Sequence, residues 1–169
     1  MCGDPHTAPL PRPHENGGKY YTGEIAGTWT EGSDITLEVV LTAFHMGRFG
    51  FRICKIEGNS PEAEREQLTE ECFNKHILLR ANGTEGSTPN DPYYHLGGMV
   101  NSPYKMTYRL PEGLTCDGVN TRCVLQWYYL TGNSCNPPNE PPEFIVNPLL
   151  GVCGVVSAYP EEFWNCADV

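Results

Sequence analysis

His45 ends the stretch Ile35 to His45, ITLEVVLTAFH, in which apolar residues alternate with others. On a strand, Ile35, Leu37, Val39, Leu41, Ala43 and His45 share one face, because successive side chains point to opposite sides. An imidazole at the end of a stiff apolar strand sits where core meets surface. That position suits a metal ligand, and it is also a common place for an ordinary histidine. The other imidazoles, His6, His14, His76 and His95, are metal-ligand candidates by element type alone. Their settings (a leading loop, the end of a helix, a long loop) read as plain surface histidines. Glu62, Glu64, Glu66, Glu70 and Glu71 form a solvated helix face, and nothing sets two of them across a cleft as glycosidase acids.

The elements that must hold these residues are mostly short strands. The chain has 169 residues, which fits one domain over 1–169 with a two-layer core. It carries 18 Gly and 15 Pro, and helix-period segments are few. Strand character is read at Lys19 to Trp29 and at Ile35 to His45. The latter is paired as a hairpin with a strand through Phe49, Phe51 and Ile53. Further strands are expected at Tyr104 to Leu110, Cys123 to Thr131, Phe144 to Val146, Val152 to Ala158 and Phe163 to Val169. One short helix is expected within Asn59 to Phe73, with a polar cap and an early proline. A long loop should cover 81 to 103. Together these make an all-β chain, an immunoglobulin-like (fibronectin type III-like) β-sandwich with long loops and one short helix.

Net charge is −10, from 21 acidic and 11 basic residues. That repels nucleic acid and anionic membrane surfaces, so neither is an expected partner. No apolar run approaches the roughly 18 residues that cross a bilayer. Eight cysteines and the sequon Asn82-Gly83-Thr84 point to a secreted, extracellular glycoprotein. The opening MCGDPHTAPLPRPHENGG shows neither the charged nor the apolar region of a signal peptide. Cys54 and Cys72 bracket the helix-bearing loop and could close it. Cys116 and Cys123 flank a tight turn and are expected to join. Cys2, Cys135, Cys153 and Cys166 remain open, with a partner expected upstream for one or more of them.

Five segments stand in order: CGDP at Cys2, PRPHENGGKYYTGEI at Pro11, LTAFHMGRFGFRIC at Leu41, LPEGLTC…CVLQWYYLTGNS at Leu110 and FWNCADV at Phe163. This ordered set resembles the chitin-binding type-4 domain, and more closely the animal-type lytic polysaccharide monooxygenases of auxiliary-activity family fifteen. The likeness is interrupted at about 59 to 103 and 136 to 160. It implies a sandwich with a flat face for crystalline chitin or cellulose, and one copper ion in a histidine brace. The second brace histidine falls on His45, the small residue near the metal on Ala43, and the axial aromatic on Phe163, where tyrosine is the commoner residue. Gln126 falls near a polar supporting position. The resemblance supports the Cys54–Cys72 pair. Tyr93 and Tyr94, in DPYYH, are the aromatics expected to be exposed and to stack on sugar rings.

The brace also needs an amino-terminal histidine upstream of CGDP, whereas the chain begins Met1-Cys2 and position three is Gly3. The expectation is therefore a monomeric domain shortened at its amino terminus, with an open sheet edge and no oxidative activity as it stands. Alternatives are a non-catalytic carbohydrate-binding module and an adhesion domain that merely shares the sandwich.

Overall fold

The computed structural model describes residues 2–5, 7–81, 90–100, 102–155 and 158–169. His6 and the sequon at Asn82 to Thr84 lie outside them. Seven strands and two short helices follow in the order β1 (Asp34–Val39), β2 (Arg48–Glu57), α1 (Pro61–Gln67), α2 (Glu70–Lys75), β3 (Leu79–Arg80), β4 (Tyr93–His95), β5 (Tyr104–Arg109), β6 (Thr121–Leu130) and β7 (Glu162–Asp168). One sheet has the order β1-β5-β3, the other β4-β2-β6-β7, and all pairings are antiparallel. The molecule is an immunoglobulin-like β-sandwich.

The alternating residues do form the core, but between sheets. Ile35, Met106 and Tyr108 face Phe49, Phe51, Ile53, Leu125 and Tyr129 across it. Hence β1 and β2 are not a hairpin. Two apolar faces of similar length bury more area face to face than side by side. Residues 40–47 carry the chain from one sheet to the other, with Leu41 and Phe44 packed against the core.

The first strand is also shorter than its pattern suggests. Val39 pairs with Tyr104, so Val40 would face Pro103, which has no N–H to continue the ladder. Leu41 N instead donates to Ser102 Oγ at 3.0 Å. Lys19 to Trp29 forms no strand: Gly23 turns it with φ +68°, and Ala26 N donates a lone bond to Asp168 O at 2.8 Å. Among the described residues, the expected strands at 144–146 and 152–158 give way to a 3-10 turn at Pro142–Phe144 and a lone parallel bridge from Val152 to Asn136, and residues 156 and 157 lie outside them.

The single expected helix is two. Ser60 Oγ caps α1 by accepting from Ala63 N, and Thr69 Oγ1 caps α2 by accepting from Cys72 N, each at 3.2 Å. The second cap restarts the helix after buried Leu68. Leu68 and Phe73 pack on Cys54, Ile56 and Val124, covering the outer face of the four-stranded sheet. Four disulfides join Cys2–Cys166, Cys54–Cys72, Cys116–Cys123 and Cys135–Cys153. The four cysteines left open by the sequence thus pair with one another, and none looks upstream for a partner.

Candidate metal centre at the end of the sandwich

His45 is held by backbone rather than by a strand. Its N–H donates to Tyr129 Oη at 3.1 Å, and its carbonyl accepts from Gly132 N at 2.9 Å. Tyr129 Oη in turn donates to Met46 O at 2.8 Å. Burial pushes the Tyr129 phenol up to about 12, though its bond to His45 N pulls the other way, so it stays a neutral donor. Met46 and Gly47 then turn the chain with φ +57° and +79°. A Cβ on Gly47 would stand 2.0 Å from Leu130 O, so only glycine lets this turn press against the end of β6.

The ring is oriented by a carboxylate. His45 Nδ1 lies 2.7 Å from Glu161 Oε2. The hydrogen bond from His45, then that from Asn133, holds the Glu161 carboxyl below its ordinary range. An ionised carboxylate only accepts, so Nδ1 carries the proton that points at Glu161. Asn133 Nδ2 lies 3.2 Å from Nδ1 and donates to Glu161 Oε2 at 3.3 Å. Among the described residues no hydrogen bond reaches Nε2. The His45 side chain is 32 % exposed.

His45 lies in a shallow depression of about 250 Å³ with Leu41, Ala43, Trp127, Tyr129 and Phe163. Phe163 pairs across the ladder with Tyr129 and stacks on it at 5.8 Å, with its outer side in solvent. The structure therefore brings His45, Ala43 and Phe163 together.

Other expected site residues stand elsewhere. Gln126 projects from the outer face of β6, fully buried, and accepts from Arg52 Nε at 3.0 Å. The one-residue alternation that puts Trp127 and Tyr129 inward puts Gln126 outward. Tyr94 is not exposed: it is core, stacked on Phe49 at 6.1 Å. Tyr93 is half-buried under the Arg48 guanidinium at 3.8 Å.

His95 is no surface histidine. It is 2 % exposed, with Nδ1 2.9 Å from Glu140 and Nε2 3.0 Å from Asp91. Burial alone would lower its pKa. The bonds and charges of Glu140 and Asp91 outweigh that and raise it. His14 Nδ1 meets Asp4 at 2.7 Å, and His76 closes α2. Glu161, Asn133 and Tyr129 are the site residues that sequence reasoning missed. The first lies 116 positions from His45, and no local pattern marks the pair.

The fold is a β-sandwich, and at its end one carboxylate-bound imidazole lies in an aromatic depression. Over residues 2–169 the sequence matches the family model described as lytic polysaccharide mono-oxygenase, cellulose-degrading, and the chain belongs to that family. It is similar to a lytic polysaccharide monooxygenase AA15 from Thermobia domestica solved in the Cu(I) state. The two share 32 % identity and a TM-score of 0.72, over 99 % of this chain and 73 % of that one. No curated protein sequence matches the chain.

The family and the copper-state relative imply a copper cofactor. The donor chemistry fits it: an imidazole with Nδ1–H on a carboxylate and Nε2 open is how proteins present histidine to a metal. Among the described residues no group of three or more His, Cys, Asp or Glu is gathered to hold a metal ion, and His45 is the one histidine lining the depression.

Proposed function

We propose that this protein is a copper-dependent lytic polysaccharide monooxygenase that cleaves the glycosidic bonds of chitin or cellulose oxidatively, with His45 Nε2 as one ligand of a single copper. The observation that carries the reading is the His45–Glu161 pair, which spends Nδ1 on the carboxylate and leaves Nε2 without a hydrogen bond among the described residues. Family membership supports the polysaccharide substrate, and the copper-state relative supports the metal. When bound, copper supplies the oxidising chemistry at a sugar C–H bond, and nitrogen donors suit it.

The chain's own residues do the positioning. Gly132 and Tyr129 fix the His45 backbone, and Glu161 and Asn133 fix the ring. Ala43 keeps the neighbouring surface low enough for a flat polymer to approach, and Phe163 shields one side of the metal position from water. Four disulfides suit an oxidising, extracellular setting. The protein works as a monomer in this reading.

The test is the natural protein with copper and a reductant on chitin and on cellulose. Native protein releases oxidised oligosaccharides detectable by mass spectrometry. His45→Ala takes up no copper and releases none, and oxidised products from that variant would overturn the assignment. That His45 is the only histidine among the described residues lining the depression favours, as the second reading, a polysaccharide-binding module without catalysis. Retention on either polymer with neither copper uptake nor oxidised products selects it.

A further inference from the structure

Thr131 follows the last residue of β6 and is fully buried. A buried hydroxyl is unfavourable unless it is hydrogen-bonded, and this one has two acceptors. Thr131 Oγ1 lies 3.0 Å from Asn133 Oδ1 and 3.0 Å from Glu161 O, and shares its one proton between them. Thr131 N also donates to Glu161 O at 3.1 Å. The two residues it holds are the ones that hold the His45 ring.

Asn133 and Glu161 are themselves exposed. An exposed amide or carboxylate side chain samples several rotamers in water, and Thr131 restricts both residues from below. Among the described residues, Asn133 Oδ1 has no other hydrogen bond, and the Glu161 carboxylate offers only acceptors. With Oδ1 on the Thr131 hydroxyl, Nδ2 is the end of the amide that reaches Glu161 Oε2, at 3.3 Å. The Glu161 main chain is fixed at the same point through its carbonyl. The next residue, Gly132, donates its N–H to His45 O at 2.9 Å. Thr131, Gly132 and Asn133 thus grip the His45 backbone and both groups beside its ring from three consecutive positions.

We propose that Thr131 is a positioning residue for the metal centre, whose buried hydroxyl sets Asn133 and Glu161 in register and through them aims the His45 imidazole. The inference rests on the copper reading above and extends it to a residue that does not line the His45 depression. Valine at this position would fill nearly the same space without the hydroxyl. Serine would keep the hydroxyl and lose a methyl group. The two substitutions therefore separate packing from positioning.

The experiment compares Thr131→Val, Thr131→Ser and Asn133→Ala with the native protein in melting temperature, Cu(II) affinity by calorimetry and the Cu(II) electron paramagnetic resonance spectrum. Thr131→Val and Asn133→Ala should each bind copper about tenfold more weakly, with an altered spectrum. Thr131→Ser should keep the native affinity and spectrum while melting at a lower temperature, because its missing methyl leaves a small cavity. Native affinity and spectrum in Thr131→Val overturn the proposal and leave the copper reading standing. Equal weakening by Thr131→Ser and Thr131→Val does the same, because the effect would then belong to packing. Asn133 is exposed, so its variant folds even where Thr131→Val does not, and native copper binding by Asn133→Ala overturns the proposal on its own. Native protein that takes up no copper overturns the proposal and the copper reading together.

Discussion

His45 and His95 each sit against carboxylate, and the difference between them separates a site from a strut. His95 lies on β4, 2 % exposed, and spends both ring nitrogens on Glu140 and Asp91 while stacking on Phe144 at 4.9 Å. Arg48 joins the cluster through Glu140 at 3.2 Å and the carbonyl of Pro138 at 2.9 Å. Nothing remains to bind a ligand, and the network pins the 137–144 turn to the sheet. His45 lies in a loop, a third exposed, with one nitrogen spent and one left open. A histidine's potential for chemistry is read from the nitrogen its neighbours leave unused.

Substitution at each ring sharpens that contrast. His95→Ala takes a buried hydrogen-bond partner from Glu140, which keeps Arg48, and one from Asp91, and should cost about 1–3 kcal/mol in urea unfolding, the range for a buried polar group that loses its partner. His45→Ala should lie within about 0.5 kcal/mol of native stability while losing copper uptake. Comparable destabilisation by the two would break the contrast.

Gly47→Ala tests whether the His45 end is set by backbone. The added Cβ would collide with Leu130 O in a left-handed turn, so a loss of about 3 kcal/mol is expected, with copper affinity falling too. Native-like stability and affinity would show that the turn does not set the ring.

Glu161→Gln keeps the shape but removes the anionic acceptor. Copper affinity measured by calorimetry should fall about 10–100-fold with an unchanged melting temperature. An unchanged affinity would mean that Glu161 does not orient His45.

The smallest effect is the pH slope. His95 is raised above its ordinary 6.5 in the folded protein. Its contribution is therefore full below that value and is lost as pH rises through the raised one. The urea midpoint should fall as the solution is made more alkaline than 6.5, and His95→Gln should flatten the fall. A midpoint that rises over that interval would contradict the raised value.

Much of the sandwich was legible because its period-two patterns report real burial: Phe49, Phe51 and Ile53 on β2, Tyr104 to Arg109 on β5, and the long β6. What pattern alone did not show was which strand meets which. Ile35 to Val39 reads equally well beside β2 or across from it, and the ladder's stop at Pro103 is visible only in the pairing register. His45, Ala43 and Phe163 were reachable through ordered motifs, and the structure gathers them in one depression. Gln126 differs from its expected place by a single step of the strand. Tyr93 and Tyr94 looked exposed because turn-forming residues surround them, yet the short β4 buries Tyr94. Glu161 and Asn133 were out of reach, because contacts made by folding distant segments together leave no local trace.

The link between Cys2 and Cys166, 164 positions apart, has a mechanical consequence. Tension applied at those two residues passes through one covalent bond and bypasses the β ladders between them. A pull applied across Cys2 and Cys166 would then leave the sandwich, and the geometry around His45, unloaded.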